Sequence, residues 1–355
     1  MIDQYGWSES LQRDFAPYAA QGYAPARVTA QHRGHYVIAT DDGPLQGRMS
    51  GRLAQDAAQG GYPVVGDWVA QTPRPEDGSA TIHAVLPRRT VFSRKAADTL
   101  HTLQVIAANM DVAFVVASMN ADLNDRRLER YLAAAWQSGA TPVVVLTKAD
   151  LSPDPAAALA AVQAMAVGVD VVAVSALNGE GVADLAARLA PGQTGVLLGS
   201  SGVGKSTLVN ALAGADLMAT GGIREDDARG RHTTSHRELF LLPGGALILD
   251  TPGLRELGLM DADEGLSSTF EDIEALALEC RFSDCGHNKE PGCAVRAAID
   301  SGTLDPERWR SFVKLGRELS HLDRKEDRVA REAERKRWIA ISKAQKSHRK
   351  PRAWD

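Results

Sequence analysis

The segment Gly199-Ser200-Ser201-Gly202-Val203-Gly204-Lys205-Ser206-Thr207 sets glycines around a short loop and follows them at once with a lysine and two hydroxyls. Glycines let a backbone curl until its N–H groups face a phosphate, and a helix starting at the lysine adds positive potential there. In such a loop Lys205 reaches the outer oxygens of a nucleoside triphosphate, and the Ser206 hydroxyl holds Mg²⁺. The flanks agree: the apolar run Val196 to Leu198 reads as a strand, and Lys205 to Leu212 reads as a helix. Gly202 occupies the loop position where potassium-dependent enzymes of this type carry Asn, so no monovalent-ion site is expected.

A second group of residues has the types needed to read a purine. Asp150 in Thr147-Lys148-Ala149-Asp150 can accept from both N1–H and the exocyclic amine of guanine, whereas adenine would leave such a carboxylate unpaired. Thr147 stands where Asn is usual. Ser175 and Ala176 of Ser175-Ala176-Leu177, at the end of the next apolar run, are placed to support the base through backbone donors. This group precedes the phosphate loop, the reverse of the usual order. The expectation is one nucleotide pocket built from a circularly permuted chain.

Asp250-Thr251-Pro252-Gly253 closes a later run, Ala246 to Leu249. Asp250 would hold Mg²⁺ through water, and the Gly253 N–H would meet the terminal phosphate. Between the two phosphate-facing motifs lies Arg231-His232-Thr233-Thr234, the place of a first switch, with Thr234 favoured over Thr233 as a Mg²⁺ ligand. Leu254 sits where a glutamine often orients the attacking water, and leucine cannot do that. Slow hydrolysis is expected unless His232, His236 or a partner assists. The catalytic candidates are therefore His232, Thr234, Lys205 and Asp250.

All three cysteines of the chain fall in Cys280-x4-Cys285-x-His287-x5-Cys293. Three thiolates and one imidazole within 14 residues suit a closed tetrahedral Zn²⁺ site with a structural role. Pro291-Gly292 supplies a tight turn before the last ligand. Cysteines used this way point to a reducing cytoplasm, not to a disulfide framework.

The surrounding elements follow from pattern. Residues 25 to 95 read as short strands broken by Gly- and Pro-rich turns: Arg27 to Ala30, Tyr36 to Ala39, Pro63 to Val69 and Ala80 to Leu86. A small antiparallel barrel of OB type is the expected solution. From about Thr102, apolar runs at Val112 to Ala117, Val143 to Leu146 and Val171 to Val174 alternate with helical stretches at Arg126 to Trp136 and Pro155 to Ala164. That alternation predicts a doubly wound α/β domain. After Leu257 the chain reads as helical.

The net charge of −5 conceals an asymmetry: residues 308–355 hold 16 Lys and Arg against 7 Asp and Glu. A basic helix over Lys314 to Arg352 on an acidic body suits a polyanionic partner or a solvated face. No run of 18 apolar residues occurs, and the first 15 residues lack the apolar core of a secretory signal.

Taken together, the motif order, Gly230-Arg231-His232-Thr233-Thr234, Asp250-Thr251-Pro252-Gly253, Phe92-Ser93-Arg94-Lys95 and the knuckle ending Glu290-Pro291-Gly292-Cys293 closely resemble the circularly permuted small-ribosomal-subunit-biogenesis GTPases known as RsgA or YjeQ. The resemblance covers nearly the whole chain. It implies an OB-like barrel at 1–98, a permuted P-loop GTPase at 99–260 and a zinc-binding helical domain with a basic tail at 261–355. It further implies contacts with ribosomal RNA, GTP hydrolysis stimulated by the small subunit in its late maturation, and release afterwards. A monomer suits a factor that docks on a large particle. A GTPase switch acting on a different assembly is the alternative.

Overall fold

The structure, a computed structural model, describes residues 2–32, 35–57, 61–95, 103–120, 123–218, 237–250, 269–288 and 290–317. Its central sheet is built on β8 (Val112–Ser118), whose seven residues are all buried. Its neighbours β9 (Thr141–Thr147) and β11 (Thr194–Leu198) are almost as enclosed. Continuous Val/Leu runs are what a parallel strand covered on both faces requires. Beyond β9 lies β10 (Asp170–Ala173), and beyond β11 lie β13 (Leu247–Asp250) and β12 (Arg237–Leu241). All these pairs are parallel except β12–β13. Helices α3 (Asp125–Gln137), α4 (Pro155–Met165), α5 (Val182–Ala186) and α6 (Lys205–Ala213) cover the sheet. The expected runs and helices fall inside these elements, except that Val174 lies one residue past β10 and Ala246 one residue before β13.

The N-terminal strands close a barrel. Strands β1 (Ala24–His32), β2 (His35–Thr40), β3 (Gly43–Met49), β5 (Ser79–Val85) and β4 (Trp68–Arg74) pair in that order, and β4 returns to β1. Only the β3–β5 pair is parallel. A short α2 (Gly51–Ala57) lies between β3 and β4, and the interior holds Val28, Ile38, Val69 and Ile82. This is the OB-like barrel. The run Pro63 to Val69 is not all strand: β4 starts at Trp68, and the preceding residues form a turn.

The turn has a purpose. Gly66, at φ +93°, lies so close to Ala108 that a Cβ there would sit 2.1 Å from the Ala108 carbonyl oxygen. Its own carbonyl accepts from Arg27 Nε at 3.3 Å. The buried Arg27 guanidinium also donates to the Tyr5 carbonyl, to Asn109 O at 3.1 Å and to Thr194 Oγ1 at 2.8 Å, and lies 5.3 Å from the centre of the Trp68 ring. Burial pushes its pKa down to about 10, against the pull of Asp111, so it stays charged at neutral pH. Beside it Asp67 accepts two bonds from Arg88, at 2.8 and 2.7 Å. Strand β1 also pairs with β12 through Ala30↔Glu238 and Gln31↔Arg237. Barrel and α/β unit thus share one sheet and one buried polar seam.

Sequence pattern did not indicate α1 (Glu9–Ala19), which caps the barrel through Leu11 and Phe15, nor the hairpin β6 (Val91–Lys95) with β7 (Leu103–Ala108), nor β12. Downstream, α7 (Glu271–Leu278), α8 (Ala294–Asp300) and the helical residues 306–317 pack around Phe270, Ile273, Val295 and Leu315. Ala133 of α3 enters this cluster. Arg308 locks the contact: it takes both oxygens of Asp272, at 2.9 and 2.7 Å, and Glu129 Oε1 of α3 at 3.1 Å. Ser311 donates to the other Glu129 oxygen, and Arg126 pairs with Glu307.

Candidate nucleotide site and Cys/His cluster

Every candidate nucleotide residue among the described ones lies at the C-terminal end of a parallel strand or just beyond it, the edge where open α/β sheets bind ligands. Strand β11 delivers the chain to Gly199, whose Cα is pressed on β8: a Cβ would lie 2.4 Å from the Val116 carbonyl oxygen. From Gly199 the loop runs through Ser200, Ser201, Gly202, Val203 and Gly204 into α6, whose first turn contains Lys205, Ser206 and Thr207. Lys205 Nζ arches back over the loop and donates to Gly199 O at 2.8 Å and Ser200 O at 2.5 Å.

The residues expected to read a purine grip this loop directly. Thr147 Oγ1, buried, lies 2.5 Å from Val203 O and 3.1 Å from Ala117 O of β8. Lys148 sits in the left-handed region at φ +58°. There its Nζ reaches Gly202 O at 2.8 Å. Next to Ala149, Asp150 is held by the buried Ser175 hydroxyl, which donates to Oδ1 at 2.5 Å. One carboxylate oxygen is thereby held. Ala176 lines an open surface depression with Thr207, Asn210 and Asp216.

Asp250 ends β13, one strand across from the phosphate loop. Gly253, His232, Thr233, Thr234, His236 and Leu254 lie outside the described residues, as does most of the basic stretch from Lys314 to Arg352.

The Cys280, Cys285, His287 and Cys293 ligand atoms all lie within 4.8 Å of one another. Cys280 Sγ is 3.9 Å from Cys293 Sγ, and both sulfurs are 3.5 Å from His287 Nδ1. A tetrahedron with bonds of about 2.0–2.3 Å has edges of that order. His287 takes φ +55° to present Nδ1, and the Trp309 ring meets it edge-on at 5.5 Å. These four side chains form a candidate metal site by geometry as well as by donor type.

Sequence reasoning missed the residues that brace these sites. Arg127 Nη1 donates to Ser200 Oγ at 2.9 Å, and Glu129 and Arg308 join residues 179 positions apart. Neither contact has a local signature.

A parallel sheet carrying the phosphate loop after the purine-reading strands, with a barrel before it and a Cys₃His cluster behind it, defines a circularly permuted P-loop GTPase fold. Residues 85–260 match the RsgA GTPase family model. The "Small ribosomal subunit biogenesis GTPase RsgA" of Opitutus terrae is 48% identical, over 98% of this chain and 97% of its own. That of Streptomyces coelicolor is 47% identical, over 97% and 94%. The crystal structure of YjeQ from Thermotoga maritima aligns with TM-score 0.64 at 26% identity, covering 84% of this chain and 98% of its own. YloQ, described as a circularly permuted GTPase, shares the fold with TM-score 0.60 over 86% of this chain and 96% of its own. The chain belongs to the RsgA GTPase family.

Proposed function

We propose that this chain is a cytoplasmic GTP hydrolase acting in late maturation of the small ribosomal subunit. The observation that carries the nucleotide part is the grip of Thr147 and Lys148 on Val203 and Gly202, with Asp150 fixed by Ser175. Those contacts support reading the two motifs, about fifty residues apart and in reversed order, as one pocket with a guanine-reading carboxylate. The family membership and the names of its relatives support the ribosomal part.

In this reading the backbone from Gly199 to Gly204 cradles the phosphates, Lys205 neutralises their outer oxygens, and Ser206, Thr207, Ser175 and Ala176 complete the nucleotide contacts. Ser206, Asp250 and Thr234 would hold Mg²⁺, which when bound neutralises charge on the β- and γ-phosphates. His232 is the side chain assigned to orient water, because Leu254 cannot. Zn²⁺ is the ion assigned to the Cys/His cluster, on three soft donors and a closed shell. The segments 1–98 and 261–355 are the proposed grips on ribosomal RNA, and 99–260 the nucleotide domain between them. The protein works as a monomer that leaves after hydrolysis.

The test is GTP turnover by the full chain with small subunits, with large subunits and with neither. Stimulation by small subunits alone is the expected outcome. Slow turnover indifferent to every ribosomal particle would keep the hydrolase and overturn the ribosomal assignment.

A further inference from the structure

Helix α3 touches both the phosphate loop and the Cys/His unit, and it does so with adjacent residues. Arg126, Glu129 and Ala133 recur at helical spacing and face the C-terminal unit: Arg126 pairs with Glu307, Glu129 takes Arg308 and Ser311, and Ala133 enters the Phe270 cluster. Between them, Leu128 and Tyr131 pack into the core of the sheet. Arg127, on that second stripe, donates from Nη1 to Ser200 Oγ at 2.9 Å. A small void lined by Arg127, Tyr131, Ser200 and Val203 separates helix from loop, so this side-chain bond spans a gap that packing leaves open.

Ser200 is held from two directions. Its hydroxyl accepts from Arg127, and its carbonyl accepts from Lys205 Nζ at 2.5 Å. Ser200 therefore links Arg127 to the Lys205 ammonium, which Gly199 O also holds at 2.8 Å.

We propose that Arg127 is a positioning residue for the phosphate loop, acting through Ser200 on Lys205, and that seating of the Cys/His unit on α3 sets nucleotide affinity through it. The proposal rests on the GTPase reading above. The physical ground is that a helix of 13 residues moves as one piece. A shift of the Cys/His unit transmitted to Glu129 and Arg126 must displace Arg127, their immediate neighbour. An arginine serves here because its planar fork is pre-organised and its charge strengthens the bond to a neutral hydroxyl.

The experiment measures GTP hydrolysis and binding of a fluorescent GDP analogue by the full chain and its variants. Arg127→Ala and Ser200→Ala should each raise KM and weaken GDP binding roughly five- to tenfold, the loss of one charge-assisted hydrogen bond. Their kcat should change less than their KM. The double variant should be no worse than either single, and Arg127→Lys, which keeps a donor, should recover much of the affinity. Glu129→Gln should raise KM in the wild-type background and not in the Arg127→Ala background, the non-additivity that a shared route demands. If Glu129→Gln fails to fold, Arg308→Lys, which keeps the charge and loses the fork, replaces it. Wild-type KM in Arg127→Ala, or equal effects of the Glu129 change in both backgrounds, would overturn the proposal. Wild-type protein that neither binds nor hydrolyses GTP would instead overturn the GTPase reading before any variant is compared.

Discussion

Thr147 Oγ1 lies 2.5 Å from the carbonyl oxygen of Val203, joining the end of β9 to the last turn of the phosphate loop. The threonine stands where an asparagine is usual, and its hydroxyl supplies a donor that an amide would otherwise bring. The same oxygen lies near Ala117 O, but one proton serves one acceptor at a time. Thr147→Val keeps the shape and removes the donor, leaving a buried carbonyl short of its partner at a cost of about 1–3 kcal/mol. GDP-analogue titration should show binding weakened by about tenfold or more, with Thr147→Asn close to wild type. Unchanged affinity in the valine variant would show that the contact does not brace the loop.

Asp150 predicts base choice. With Ser175 fixing one edge, Asp150→Asn presents an amide that donates where the carboxylate accepted. Guanine then meets a donor facing its own donors, while xanthine, with a carbonyl at that position, is accommodated. GTP affinity should fall by about a hundredfold or more, and xanthosine triphosphate should compete better than GTP. Competition assays with both nucleotides check it; retained guanine preference would remove Asp150 from the base site.

The Cys/His cluster predicts metal dependence. Four donors around one ion would leave no position for substrate, so the expected contribution is to hold α7, α8 and the connecting loops together. Elemental analysis should find about one zinc per chain. A strong chelator, or Cys285→Ser, should lower the thermal midpoint by roughly 4 °C or more. Full metal loss with no change in thermal unfolding would contradict a structural role.

Glu129 predicts a pH effect. Burial pushes its carboxyl above the ordinary value of 4.5, against the opposing pull of Ser311 and Arg308. A carboxyl raised in the folded state binds its proton more tightly there than in the unfolded chain. Its contribution to stability is therefore whole below 4.5 and declines as pH rises through the folded value. Urea unfolding from pH 4.5 upward through the mildly acidic range should show a shallower decline in Glu129→Gln than in wild type. Equal slopes would mean Glu129 titrates alike in both states.

Arg27 predicts a seam that tolerates no substitute. Its guanidinium serves four acceptors drawn from the N-terminal segment, the turn before β4, the β7–β8 connection and β11. Lysine cannot spread three donors over that arc, and alanine leaves buried carbonyls unpaired. Either change should destabilise by about 2–4 kcal/mol, read as a lower denaturation midpoint. A midpoint within error of wild type would show that solvent replaces the lost bonds.

The sequence by itself determined whatever is contiguous in the chain. The loop from Gly199 to Ser206, the Thr147 to Asp150 motif and the four-ligand knuckle each fit within 14 residues or fewer, so their chemistry is written in spacing. Their reversed order revealed the permutation. Strands β8, β9 and β11 were legible because burial on both faces demands unbroken apolar runs. Strand β12, Arg-Glu-Leu-Phe-Leu, lies between β13 and the barrel strand β1 but carries no such run, since only Leu239 of its five residues is buried. The turn at Gly66 and Asp67 looked like strand because its valines are buried, yet it bends to meet Ala108 and Arg88. Only tertiary structure decided that Arg27 would clamp the barrel to β11, that Arg308 would fasten the Cys/His unit to Glu129, and that Arg127 would reach Ser200. Those partners lie 73 to 179 residues apart, and a contact closed across that much chain imposes no pattern on the residues beside it.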